Sequence, residues 1–330
     1  MNIRSMFHAA AVSAMTLMFA FPALAAQKVT MSILPGNGDP AVVAAQKDFK
    51  EFIETKSNGK YQVEIYFGGA LGNCDTVFQG VQFGTIQIAL DSTSNLSQFA
   101  PELAVMDMPF LMPGEEQIRK ITEGPVGQHI MSYLGKKGVH PVALNLVTPR
   151  AIVSTVPLKK PEDSHGQEMR STNSKTHMAA IKGLGFNPTP IPPSEILTGL
   201  QQGVILATDT EYPGIYNWRF CDVAKYVLLS DYIPVVWFLY ASEDWYQSLP
   251  KEDRALFDEG FKIYNEAFRN YINAAVEKTF KIIQDEYGCT ITRLSDEEKA
   301  QFAERSKGAY DILTDAQSKI VDMIRAELKN

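Results

Sequence analysis

The 330-residue chain is short of the residue patterns that most chemistry needs. It has three cysteines, Cys74, Cys221 and Cys289, so at most one internal disulfide forms and one thiol is left over. Which two would pair is open. No CxxC spacing occurs, which argues against a metal or redox site. The five histidines (His8, His129, His140, His165 and His177) do not cluster. There is no GxSxG elbow, P-loop, GxGxxG or HExxH, so the expectation is no catalytic residue, no metal and no cofactor. Positive charge is also scarce: 31 Lys and Arg stand against 38 Asp and Glu, a net charge of −7, with no basic cluster. That excludes nucleic acid as an expected partner. No segment reaches eighteen uninterrupted apolar residues, so the mature chain is not expected to be embedded in a membrane. Internal repeats and low-complexity segments are missing too.

What is present begins with an export signal. Arg4 precedes the apolar run Ala9 to Phe21, and Ala23-Leu24-Ala25 is a small-x-small cleavage site. Residues 1–25 read as a signal peptide, so the mature protein is expected to be exported. Removing Arg4 takes the net charge to −8. An anionic ligand would then need a positive field made locally, at its own site.

Periodicity predicts an α/β fold. Lys28–Leu34, Tyr61–Phe67 and Ile86–Leu90 read as strands, separated by helices over 40–57 and to about Phe83. Strand, helix, strand, helix, strand is the signature of a parallel sheet. Its ligand-facing loops lie at the strand C-termini: Pro35–Asp39, Gly68–Asn73 and Asp91–Asn95. Glu115–Lys136 reads as helix and Val139–Val147 as strand. After Pro149 a second α/β unit runs to Thr208, and Tyr226–Tyr240 is expected to re-enter the first sheet. Phe257, Phe261, Tyr264, Phe268, Tyr271, Phe280 and Ile283 keep one face of a helix over 251–287 apolar. At 1.5 Å per residue that helix is about 55 Å long, enough to run across two domains. Ser295-Asp296-Glu297-Glu298 reads as the capping box of the final helix.

Two arginines twenty residues apart, Arg150 and Arg170, sit at strand-like positions. On neighbouring strand ends they make a forked, permanently charged socket for a carboxylate. The competing arrangement is an internal ion pair of Arg170 with Asp209 or Glu211.

At the Arg170 segment the chain resembles the periplasmic solute receptors of TRAP transporters, the tripartite ATP-independent systems that move organic acids. The resemblance spans nearly all of the mature chain. It rests on Ser57-Asn58-Gly59-Lys60, Gly69-Ala70-Leu71-Gly72, Asp107-Met108-Pro109-Phe110-Leu111, Gly166 to Arg170, Leu184-Gly185 to Pro190, and Leu200-Gln201-Gln202-Gly203-Val204. It implies a two-domain periplasmic binding protein with hinge-connected α/β domains and a long helix shared by both. The expected division is 26–147 with about 236–275, and 148–235 with about 276–330. It also implies that a small organic acid is held in the interdomain cleft and delivered to the TRAP membrane subunits, without catalysis. Carried over residue by residue, Arg170 matches the arginine that forks onto the ligand carboxylate and Arg150 a second ligand-facing arginine. Asn173 stands beside the first arginine. Thr210, preceded by Asp209, falls where many members carry a ligand-contacting Asn. Asn37 and Ser92 sit on first-domain loops that line the cleft, and turn chemistry is the alternative role for both.

The chain departs from the family after its second helix. Leu206 replaces the usual Asp, Thr210 the usual Asn, and Pro193 stands where several sugar-acid receptors carry an aromatic residue. Aromatic residues are dense nearby, and Tyr212 and Trp237 are the two expected as cleft walls. These changes predict a monocarboxylate with a bulky or aromatic body. A small dicarboxylate or a sugar acid is the alternative; an exported sensor protein or an enzyme is a more distant one.

Overall fold

The computed structural model describes residues 26–112, 114–164 and 166–329, so the expected signal peptide lies outside the described residues. The alternating segments form eleven strands among the described residues: β1 Gln27–Ile33, β2 Tyr61–Phe67, β3 Ile88–Ser92, β4 Val139–Pro149, β5 Ala151–Ser154, β6 Glu168–Ser171, β7 Asn187–Pro190, β8 Ala207–Thr210, β9 Tyr226–Leu229, β10 Pro234–Ser242 and β11 Thr290–Arg293. They build two sheets, ordered β2-β1-β3-β10-β4 and β11-β9-β5-β8-β6-β7. In the first, β1 runs parallel to β2 and β3, as the strand-helix alternation requires, while β10 enters antiparallel between β3 and β4.

Period-two alternation places the core of the first sheet on both faces. Leu144, Leu146, Phe238 and Tyr240 point into one cluster, Val235, Trp237, Leu239 and Ala241 into the other. The second sheet is filled the same way: Ala151, Val153, Val227 and Leu229 on one face, and Ile152, Met169, Ala207 and Leu228 on the opposite one.

The chain passes between the sheets at two adjacent crossings. Arg150 is the single residue between β4 and β5, and 230–233 separates β9 from β10. The crossings are tied together: Arg150 N–H donates to the Ile233 carbonyl at 2.9 Å, and Ser230 Oγ to the Arg150 carbonyl at 3.4 Å. The third link is the helix Lys251–Asp285. Phe257, Phe261, Tyr264, Phe268 and Ile272 pack under the first sheet, Ile283 under the second, and Val276 touches both cores. The long apolar face is therefore a strut shared by both lobes.

Four sequence expectations change in detail. Tyr226–Tyr240 is not one strand: β9 stays in the second sheet and only β10 re-enters the first. The helix expected over 115–136 is two, Glu115–Glu123 and Pro125–Gly135, because Pro125 has no N–H to continue the ladder. The Ser295 capping box is formed, but it opens Asp296–Arg305 and not the last helix, Asp315–Glu327, which has its own box at Thr314 and Gln317. Ile320, Val321 and Ile324 of that last helix pack in the core of the first sheet, so 276–330 does not keep to one lobe. Among the cysteines, the buried Cys221 and Cys289 lie in the core of the second lobe, their thiols donating to the Ile215 carbonyl at 3.7 Å and the Ala224 carbonyl at 4.0 Å, and Cys74 lies against the first lobe's core.

Candidate functional site

The site forms where the crossings bring the strand ends of both sheets together. β3 ends at Ser92, whose hydroxyl caps the short helix Thr93–Leu96 by accepting from Asn95 N–H at 3.1 Å. β10 sets Trp237 opposite Ser92. From the second lobe, β6 carries Arg170, β8 carries Asp209 and Thr210, and Glu211 follows. These residues and Arg150 line a cavity of about 60 Å³ with an opening to solvent, walled by Leu34, Val235 and Trp237 on one side and by Thr172, Pro193, Ile196, Trp218 and Phe220 on the other.

The two arginines have different jobs. Arg150 Nη1 donates to Asp209 Oδ1 at 3.3 Å and Nη2 to Ser94 Oγ at 3.5 Å. Asp209 Oδ2 accepts from His177 Nε2 at 2.9 Å and from the Tyr232 hydroxyl. His177 Nδ1 accepts from Thr172 N–H at 3.2 Å, which leaves Nε2 as the protonated nitrogen that donates to Asp209. Burial opposes the Asp209 charge. Arg150, and then His177 and Tyr232, outweigh burial and hold its pKa well below the usual carboxylate range. For Arg150, too, burial opposes the charge, and Asp209 foremost more than offsets it, so its pKa is raised.

Arg170 is left without a carboxylate partner. Its Nε donates to the Ile191 carbonyl at 3.0 Å, and among the described residues its guanidinium enters no ion pair, since the Asp209 charge goes to Arg150. Its residue surface is only 6% exposed. Burial is the main cause that lowers its pKa, to about 10, with Asp209 opposing and Arg150 reinforcing the shift. The group therefore stays charged at neutral pH. A buried cation whose fork lacks an anion is costly. The internal pair with Asp209 or Glu211 is not formed.

Of the other expected site residues, Thr210, Ser92 and Trp237 also line the cavity. Three do not. Asn37 is exposed in the turn after β1, and Asn173 is exposed between β6 and the helix Lys175–Gly183. Tyr212 is a wall of the core, not of the cleft: it packs beside Phe280 at a ring distance of 5.1 Å and donates its hydroxyl to Asp231. The reason is local. Tyr212 opens the helix Tyr212–Asn217, so its direction follows that helix and not the β8 alternation.

Sequence reasoning missed the role of three groups. The sequence offers Glu211 only as an ion-pair partner, His177 only as an isolated histidine, and Asp39 only as part of a turn. Asp39 accepts from Ala41 N–H at 2.9 Å as the cap of the helix beginning at Pro40, and from Asn217 Nδ2 of the other lobe at 3.4 Å. Burial first, and then Glu211, raise its pKa from 3.8 to about 7. An acid whose folded pKa is raised contributes stability that is full below its unfolded pKa and is lost as pH rises through the folded value. Asp39→Asn keeps the cap. It should therefore gain on the wild type as pH goes from 5 to 8, by about 2 kcal/mol at pH 8. Urea midpoints at the two pH values measure this, and a larger gain at pH 5 contradicts it.

Two sheets, two crossings, a shared helix and a charged cavity between the lobes define a two-lobed binding protein. The chain belongs to family 7 of the bacterial extracellular solute-binding proteins, whose sequence profile matches residues 31–317. It is 28% identical over 231 residues, 70% of each chain, to the 2,3-diketo-L-gulonate-binding periplasmic protein YiaO of Escherichia coli. A TRAP periplasmic solute binding protein from Haemophilus influenzae with bound L-gulonate superposes with a TM-score of 0.85 at 25% identity, covering 91% of this chain and 99% of the other. A second one, from Bordetella bronchispeptica, with bound density interpreted as pantoate, gives 0.83 at 26% identity, covering 91% and 98%.

Proposed function

We propose that this protein is a periplasmic receptor that takes an organic acid into the cleft between its lobes and delivers it to TRAP membrane subunits. The observation that carries the reading is the buried Arg170 guanidinium, which lines the cavity with no carboxylate of its own. Arg150, fixed to Asp209, supplies a second positive charge beside it. Export by residues 1–25 and hinge motion about 149–151 and 229–234 complete the cycle, with lobes near the expected 26–147 plus 236–275 and 148–235 plus 276–330, apart from the last helix.

The ligand carries one carboxylate on Arg170, and its body lies against Trp218, Phe220 and Trp237. A bulky or aromatic monocarboxylate fits these walls. A sugar acid is the second reading, favoured by Ser92, Asn95, Thr172 and Thr210 around the cavity and by the gulonate-type ligands of the relatives. A thermal-shift panel of sugar acids, C4-dicarboxylates and aryl acids decides between them. The acid that binds raises the midpoint in proportion to the logarithm of its concentration over Kd. Stabilisation by gulonate with none by aryl acids selects the second reading; a panel in which no acid stabilises the protein overturns both.

A further inference from the structure

Glu211 is the charged group of the cavity that neither the carboxylate socket nor the fold consumes. The residue is 5% exposed and lines the cavity. Its Oε2 accepts from Thr210 Oγ1 at 2.8 Å, while Oε1 is buried and has no hydrogen-bond partner. It packs beside Gly214, where a Cβ would lie 2.4 Å from Oε1 and 2.5 Å from Thr210 Oγ1. A buried oxygen left unpaired costs about 1–3 kcal/mol, more when charged, so its retention calls for a partner that arrives from outside.

The charge balance says which partner. The cavity lining carries two cations, Arg150 and Arg170, and two anions, Asp209 and Glu211. A ligand that brings only a carboxylate leaves this set negative. One that brings a carboxylate and a protonated nitrogen leaves it unchanged, and gives the two unpaired groups, Arg170 and Glu211 Oε1, a partner each.

We propose that the ligand is a zwitterion, with its carboxylate on Arg170 and a protonated nitrogen bearing at least one N–H on Glu211 Oε1. The inference rests on the organic-acid reading and narrows it to acids with an amino or amidinium group. The hydrogen bond to a charged acceptor is worth more than one to a neutral amide, and the paired charges reinforce it in a buried site.

The test is calorimetry on the mature chain with matched pairs that differ only in nitrogen against oxygen, such as leucine and 2-hydroxy-4-methylpentanoate, or phenylalanine and phenyllactate. The amino member should bind at least about tenfold more tightly than its hydroxy partner. Glu211→Gln should bring that ratio to about one. Glu211→Asp, which keeps the charge but withdraws it by one methylene, should lower the ratio as well, so the inference does not hang on one variant's folding. Hydroxy or sugar acids that bind while every amino acid fails, or a ratio unchanged in both variants, overturn it and leave the organic-acid reading standing. Acid binding that survives Arg170→Ala removes the reading beneath it.

Discussion

Arg170→Ala lowers the affinity for the bound acid by about 100-fold or more, the 2–5 kcal/mol expected when one partner of a buried charge pair is removed. The loss is expected in the dissociation rate, where truncating one partner of a buried charge pair acts. Arg170→Lys keeps the charge but loses the fork, and should recover only part of the affinity. Neither change should harm the fold. The one hydrogen bond Arg170 gives the protein is Nε to the Ile191 carbonyl. The ligand-free protein pays to bury an unpaired cation, which is why burial pulls this pKa down to about 10. Arg170→Met should therefore raise the denaturation midpoint of the empty receptor while abolishing binding. Calorimetry and urea denaturation on the same variant read both effects. A drop in stability with binding retained would mean that Arg170 is a structural group.

Asp209→Ala has the opposite profile. Its carboxylate receives Arg150, His177 and Tyr232, all three buried. Removing it leaves Arg150 with only the Ser94 hydroxyl at 3.5 Å and leaves the His177 and Tyr232 donors without an acceptor. Breaking a buried pair in this way costs about 3–5 kcal/mol. The lesion lies at the crossing between the lobes, so both should loosen together. The same network sets the acid limb of stability. The folded pKa of Asp209 lies below its unfolded value of about 3.9, so its contribution is full above that pH and is lost as pH falls below it. Urea midpoints of wild type and variant should converge below about pH 4. Midpoints that differ as much in acid as at neutral pH would contradict this role.

Much of the architecture was legible because period-two and period-3.6 patterns depend on local burial, which the sequence carries directly. The alternation expected over 28–34 and 61–67 and the apolar face expected over 251–287 map onto β1, β2 and the helix Lys251–Asp285, with their apolar residues in the cores. Arg150 and Arg170 were legible for a related reason: a permanent charge at a strand end beside apolar residues has few places to go. The division of labour between them was not. It depends on Asp209 lying opposite Ile152 of β5, next to Arg150, and that register comes from pairing over a long sequence separation. Tyr212 was misplaced because a helix start redirects the side chain that follows a strand. Asn37 and Asn173 looked right by type, yet each sits one step outside the cleft in an exposed turn. Glu211 was overlooked as a site group because an acid next to an arginine suggests a pair. Only the geometry, with Arg150 already holding Asp209 and Gly214 making room for Oε1, shows that the pair is not made.

The measurement that bears most directly on the account is a crystal structure of the mature protein with the acid it carries from the cell, identified by mass spectrometry of the same sample. The account predicts a carboxylate seated on the Arg170 guanidinium with both oxygens at about 2.7–2.9 Å, and Arg150 still bound to Asp209. An acid held elsewhere in the cleft, with Arg170 turned onto Asp209 or Glu211, would contradict it.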